Sequence, residues 1–122
     1  MLRFVLLEHD YPKRHWDFML ESEGVLRTWR FTAPPCGGEA ILATATFDHR
    51  LLYLDYEGPI SGGRGRVIRW DHGSFTWRTQ AADCVEVRLE GKRLCGILRL
   101  KLVEADCWTG EFVDASELKE ER

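Results

Sequence analysis

"EHDYPKRHWDFML", residues 8–20, is the stretch on which the fold turns. Read as a strand from His15 onward, alternate side chains share a face. Trp16, Phe18 and Leu20 then make one uniformly apolar face, the pattern of a surface turned into a core. His15, Asp17 and Met19 make the other. Pro12 lies midway between His9 and His15, so a hairpin turning there brings His9 across from His15 and gathers two imidazoles with one carboxylate. Such a set can hold a divalent transition metal while leaving positions open for water or substrate. The same residues can equally line the solvated face of a half-exposed strand.

Outward from this hairpin the chain runs in short apolar or alternating segments between glycine- and proline-bearing breaks, with little helical periodicity. The spacing predicts strands near 2–8, 15–21, 25–31, 40–46, 51–56, 66–70, 74–78, 84–89 and 94–103. Turns are expected at "ESEG", "APPCGG", "EGPISGGRG", "DHG" and "LEGKR". So many short strands in 122 residues of 44% hydrophobic content predict one all-β domain, a small closed or nearly closed β-barrel. The domain is expected over residues 1–113 and a polar C-terminal tail over 114–122, "DASELKEER", as a short helix or disordered.

No apolar run approaches the roughly 18 to 20 residues that span a bilayer. "MLRFVLLEHD" reaches charge too soon for a signal peptide, so a cytoplasmic protein without a membrane partner is expected. Cys36, Cys84, Cys95 and Cys107 show neither C-x-x-C spacing nor the density of a disulfide scaffold, and are expected to be reduced. The net charge of −3 hides an asymmetry: residues 104–122 carry −5 and the remainder +2. Thirteen of the seventeen cationic residues are arginine, whose planar fork suits phosphate oxygens, with clusters at 27–30 and 64–69. A phosphate-binding face and solvated arginines on strand surfaces fit this composition equally.

A second polar group stands in "FDHRLLYLDYEG", residues 47–58. As a strand it puts His49 and Tyr53 on one face with Leu51 between them, Asp55 and Glu57 continuing that face, and Leu52, Leu54 and Tyr56 on the other. Histidine can donate a proton or a hydrogen bond to a charged oxygen and tyrosine a hydrogen bond; both also serve as packing. His72, in "WDHG", reads as a turn histidine. "GPISGGRGR" lacks the P-loop pattern and reads as a hairpin loop, in which Arg64 or Arg66 could touch a nucleic-acid backbone. The H-x-D of His15 and Asp17, followed by His49 or His72, also imitates the facial triad of non-haem iron oxygenases.

Taken in order, these segments resemble the 3′-phosphoesterase domain of bacterial and archaeal DNA ligase D and its free-standing homologues, over about residues 4–103. The family pairs two histidines six apart with H-x-D-F-x-L, matched by His9, His15, Asp17, Phe18 and Leu20. "GVLRTW" is similar to its G-V-L-K-S-W, and "DHRLLYLDYEGPI" to its D-H-P-L-x-Y-x-D-F-E-G-x-I. "VIRWDHGSF" matches V-x-x-W-D-x-G, and "RLEGKRLCGILRL" the closing L-x-G-x-x-L-x-G.

The resemblance implies a compact β-barrel that uses manganese, or zinc or another transition metal, to trim blocked 3′ ends of DNA or RNA primers. A terminal ribonucleoside and then the 3′-phosphate would be removed, leaving a 3′-hydroxyl for a separate polymerase or ligase. Carried over by position, His9, His15 and Asp17 would hold the metal, and His49 and Tyr53 would contact the scissile phosphate, with His49 as general acid or transition-state stabiliser. The family motif continues H-x-D-F-R-L, where this chain has Met19. An apolar side chain thus replaces a charge-assisted donor on the same strand face, and Arg14, Arg27, Arg64 or Arg66 is left to supply the charge. Met19 also opens a second reading, a module that keeps the barrel and binds nucleic-acid ends or a protein partner without turnover.

Overall fold

The turns divide the chain into nine strands in the structure, a computed structural model that describes residues 1–118. They are β1 (Leu2–His9), β2 (His15–Ser22), β3 (Val25–Phe31), β4 (Ile41–His49), β5 (Gly58–Pro59), β6 (Arg66–Gln80), β7 (Cys84–Gly91), β8 (Cys95–Glu104) and β9 (Cys107–Asp114). Eight of them close an antiparallel barrel in the order β1-β2-β3-β4-β9-β8-β7-β6 and back to β1, with the two-residue β5 added to β6. The all-β barrel expected from the sequence is therefore the fold. Closure removes the unpaired edges that an open sheet of this size would expose.

Inside the barrel, alternate residues of each strand meet: Phe4 and Leu6, Phe18 and Leu20, Trp29 and Phe31 are all buried in one cluster. Each side chain of this size contributes about 1.5–3 kcal/mol on burial. Strands β1 and β2 are also covered on their outer face, where Val5, Leu7, Met19, Leu26, Leu54 and Val67 form a second, smaller cluster. That double burial is why "FVLL", residues 4–7, reads as an unbroken apolar run.

The cover over the outer face is the 50–60 segment. A strand was expected at 51–56, but Leu51–Leu54 form a single 3-10 turn. Leu54 points into the outer cluster and is 5% exposed. The segment is tied down from both sides: Arg3 Nη2 donates to Asp55 Oδ1 at 2.6 Å, Arg69 Nη1 donates to the Leu54 carbonyl at 3.3 Å, and the Arg69 amide donates to Glu57 Oε2 at 2.8 Å. The hydrogen bond from Arg3 holds the Asp55 carboxyl below its ordinary range.

Two further expectations are corrected. "DHG" is no turn, because β6 runs unbroken from Arg66 to Gln80 and His72 pairs with Val5 inside it. Between Leu6 and Leu7 the register shifts, leaving Trp70 as an extra residue. The bulge sends Asp71 inward, where its carboxylate accepts the amides of Lys92, Arg93 and Leu94 at 2.7, 3.1 and 2.8 Å and closes the β7–β8 turn. Strand β9 was not foreseen; it carries Trp108 and Phe112 into the core and supplies the partner that lets β4 and β8 close the barrel. Of the expected tail, Ala115–Glu117 make a 3-10 turn capped by Asp114, and residues 119–122 lie outside the described residues. All four cysteines are free. Among the described residues no helix is long and apolar enough to cross a membrane.

Candidate active-site cleft

The β1–β2 hairpin pairs His9 with His15 directly, as the turn at Pro12 implied. Their rings stand edge to face, centroids 4.9 Å apart. Asp17 pairs with Leu7 on the same outer face, and one ligand atom from each of His9, His15 and Asp17 falls within 4.8 Å of the others. His15 and Asp17 are each only 5% exposed.

The hydrogen bonds fix which atoms face inward. His15 Nδ1 lies 2.8 Å from the Lys13 carbonyl, and His9 Nε2 lies 2.7 Å from the Arg64 carbonyl. A carbonyl oxygen only accepts, so each of these nitrogens carries a proton, and in the neutral form of each ring the opposite nitrogen is the acceptor. The opposite nitrogens then bring lone pairs: His15 Nε2 is 3.2 Å and His9 Nδ1 3.9 Å from Asp17 Oδ2. In that form three acceptors face one another, an arrangement that a cation between them would satisfy. Asp17 Oδ1 adds to the demand, since it is buried with no hydrogen-bond partner and its nearest cation, Arg30 Nε, is 3.6 Å away. Two imidazole nitrogens and a carboxylate oxygen, with each ring oriented through its other nitrogen, fit a divalent transition metal.

Beside this cluster lies a cleft of about 440 Å³, floored by Leu7, Met19 and Val67. Met19 is on the face expected for it, 1% exposed within the outer apolar cluster. His49 and Tyr53 line the cleft, although not as neighbours on one strand. His49 ends β4, and Tyr53 belongs to the 3-10 turn that follows; their rings meet edge on at 5.7 Å.

His49 reaches the site through a bulge. Thr46 pairs with Thr28, yet Leu26 pairs with His49, so Phe47 and Asp48 stand opposite Arg27 alone. Without the extra residue Asp48 would occupy the position facing Leu26, and His49 would turn to the other face. The Thr28 hydroxyl donates to the Leu26 carbonyl at 2.9 Å, which uses its one proton. At 2.9 Å from His49 Nδ1 it therefore accepts, and Nε2 keeps the lone pair in the neutral ring. Burial pushes the His49 pKa down, with the charge of Asp17 pulling the other way.

Of the four arginines named from the sequence, Arg64 alone lines this cleft, its Nε donating to the Ser61 carbonyl at 2.7 Å. Arg14 pairs with Glu8 at 3.3 Å. Arg27 stacks over Trp29, 4.7 Å from the ring centroid, and Arg66 gives its amide to Asp10 at 2.8 Å. Two arginines that sequence reasoning passed over, Arg30 and Arg50, do line the cleft. Arg30 was legible in principle. The Glu23–Gly24 turn joins Ser22 to Val25, and counting back along that hairpin sets Arg30 opposite Asp17. His72, the oxygenase-like alternative, sits on β6 and is not among the residues lining the cleft.

Comparison with known proteins places the chain in a family. The family described as the DNA Ligase D 3′-phosphoesterase domain matches residues 7–101. A multifunctional non-homologous end joining protein LigD from Pseudomonas aeruginosa is 36% identical over 106 residues, covering 79% of this chain and 13% of the relative. One from Mycobacterium bovis is 36% identical over 114 residues, covering 86% of this chain and 15% of the relative. One from Mycolicibacterium smegmatis is 36% identical over 78 residues, or 60% of this chain and 10% of the relative. The chain thus spans a small part of the length of these larger proteins, and by sequence it belongs to the DNA ligase D 3′-phosphoesterase domain family.

Proposed function

We propose that this chain is a metal-dependent phosphoesterase of the cytoplasm that trims blocked 3′ ends of DNA or RNA primers during end-joining repair. It removes a terminal ribonucleoside and then the 3′-phosphate, leaving a 3′-hydroxyl for a separate ligase or polymerase. The observation that carries the reading is the inward convergence of three lone-pair donors, each histidine held by a main-chain carbonyl, at the mouth of a cleft lined by arginines.

His9, His15 and Asp17 hold the metal, with manganese proposed and zinc as the alternative. When bound, such an ion polarises a phosphoryl oxygen and lowers the pKa of a coordinated water. Arg30 and Arg64 bring positive charge to the same cleft and favour a phosphate anion there. Tyr53 offers its hydroxyl to a phosphoryl oxygen. His49 has its ring fixed by Thr28, with Nε2 left to exchange a proton. A phosphate anion beside the ring favours the imidazolium, opposing the downward pull of burial and preparing Nε2–H to protonate the leaving oxygen.

Incubation with 3′-phosphorylated and 3′-ribonucleotide-ended primers, with and without manganese, tests this. Metal-dependent release is expected, and unchanged release by a His9→Ala, His15→Ala double variant refutes the site. A second reading is kept for one reason, the apolar Met19 in the floor of the cleft where the family carries arginine. A binding module would retain the end without turning it over.

A further inference from the structure

Phe47 is the most exposed aromatic side chain of the described residues, at 73%, and it lies at the cleft beside His49. Its ring is stacked on the His49 imidazole, centroids 4.6 Å apart and planes 25° from parallel. One face of the phenyl ring is therefore covered and the other is open. Phe47 lies in the β4 bulge, where it and Asp48 share the space opposite Arg27 and the strand's regular alternation is interrupted.

We infer that Phe47 is the stacking platform for the base of the terminal nucleotide, an inference that rests on the phosphoesterase reading of the cleft. An open aromatic face at the edge of a site lined by Arg30, Arg50, Arg64 and His49 joins the two chemistries that a nucleotide presents together. The cations and His49 take the phosphate. The flat apolar ring takes the base. Covering the phenyl face also removes exposed apolar surface from water, which a bare inorganic phosphate would leave open. Stacking on a phenyl ring uses the π-face that every base has, so the subsite is expected to hold a terminal nucleotide without reading its sequence. Contact through Phe47 to the His49 ring would also set the reacting phosphate relative to the imidazole.

The test is the affinity of the full chain for labelled primers ending in a 3′-phosphate, one with its terminal base and one with an abasic terminal sugar. Wild type is expected to favour the base-bearing end by about tenfold, within the range for one base on one aromatic ring. Phe47→Ala is expected to lose that preference, and Phe47→Leu, which keeps apolar bulk without a ring, to lose it too. Phe47→Trp should keep it. Equal binding of the two ends by wild type, or a preference that survives in Phe47→Ala and Phe47→Leu, overturns the platform. Phosphate release is followed in the same samples with manganese. No release by wild type alongside an intact base preference sinks the esterase reading and leaves the platform standing.

Discussion

His9 and His15 face each other across the β1–β2 hairpin, and each is steered by a carbonyl from outside its own strand. For His15 the carbonyl is that of Lys13, in the turn. For His9 it is that of Arg64, in the loop before β6, fifty-five residues away in sequence. The proposed metal-ligand face is thus assembled by two separate loops clamped against each other, and Asp10 seals them by accepting the Arg66 amide at 2.8 Å.

Manganese should stabilise the fold through these ligands. A ligand at a hundredfold excess over its Kd adds about 2.7 kcal/mol. Thermal unfolding of wild type is expected to move up by several degrees with manganese, and that of Asp17→Asn to move far less. An equal rise in both proteins would place the ion elsewhere.

The loop clamp makes Gly65 a control point. Its φ is +75°, and a Cβ there would lie 2.2 Å from Asp10 Oδ1 and 2.6 Å from Tyr11 Cβ. Gly65→Ala should cost about 1–3 kcal/mol of stability. By displacing the Arg64 carbonyl it should also weaken metal binding about 10- to 100-fold, the usual effect of losing a ligand's outer hydrogen bond. Gly63→Ala carries similar left-handed strain, at φ +67°, but has open space around its Cβ, and without the clash it should leave metal affinity alone. Titration calorimetry with manganese on both variants decides it.

What could be read from the letters was whatever depended on local alternation. Trp16, Phe18 and Leu20 announced a core face, and Pro12 announced the turn that opposes the histidines. What could not be read depended on departures from alternation. The bulge at Phe47 and Asp48 turns His49 toward the cleft, and the extra residue Trp70 turns Asp71 inward; both are set by pairing with distant strands. The 50–60 segment has the apolar spacing of a strand, but it crosses β1 as a lid held by Arg3, Arg69 and the burial of Leu54. Strand β9 was hidden by its acidic setting, although Trp108, Gly110 and Phe112 alternate inward as a strand should.

The lid position implies that Leu54 controls Tyr53. Leu54 is 5% exposed within the outer cluster, and Tyr53 precedes it in the same 3-10 turn. Leu54→Ala should cost about 2–5 kcal/mol. Hydrogen exchange is expected to accelerate at 51–57 before the barrel strands change. Uniform acceleration across the whole chain would mean that the lid does not open separately.

Acidification should act through His49. Its folded pKa lies below the ordinary 6.5 because burial disfavours the charged ring. As pH falls through that ordinary value the unfolded chain takes up a proton that the folded protein resists, so stability drops until the lower folded pKa is passed. In metal-free buffer the urea midpoint of wild type should fall from about pH 7.5 to about pH 5.5, and that of His49→Gln should fall less. Identical losses in the two proteins would assign the effect to other groups.

Arg30 and Met19 together decide how the cleft holds charge. Arg30 approaches Asp17 from β3, while Met19, two residues beyond Asp17, fills the floor. If Arg30 supplies the charge that the family places at the Met19 position, Arg30→Ala should lower phosphate release about 100-fold, as loss of one charge-stabilising donor does. Met19→Arg alone should raise release, but by less than it restores in the Arg30→Ala background, because two guanidiniums would then crowd one carboxylate. Its long apolar stem can replace methionine against Leu7 and Val67 while the head reaches the cleft. Steady-state rates for the two single variants, the double variant and wild type form a closed cycle whose coupling separates compensation from independent effects. Full activity in Arg30→Ala, or additive effects in the double variant, would remove Arg30 from this role and leave Arg50 and Arg64 as the cations lining the cleft.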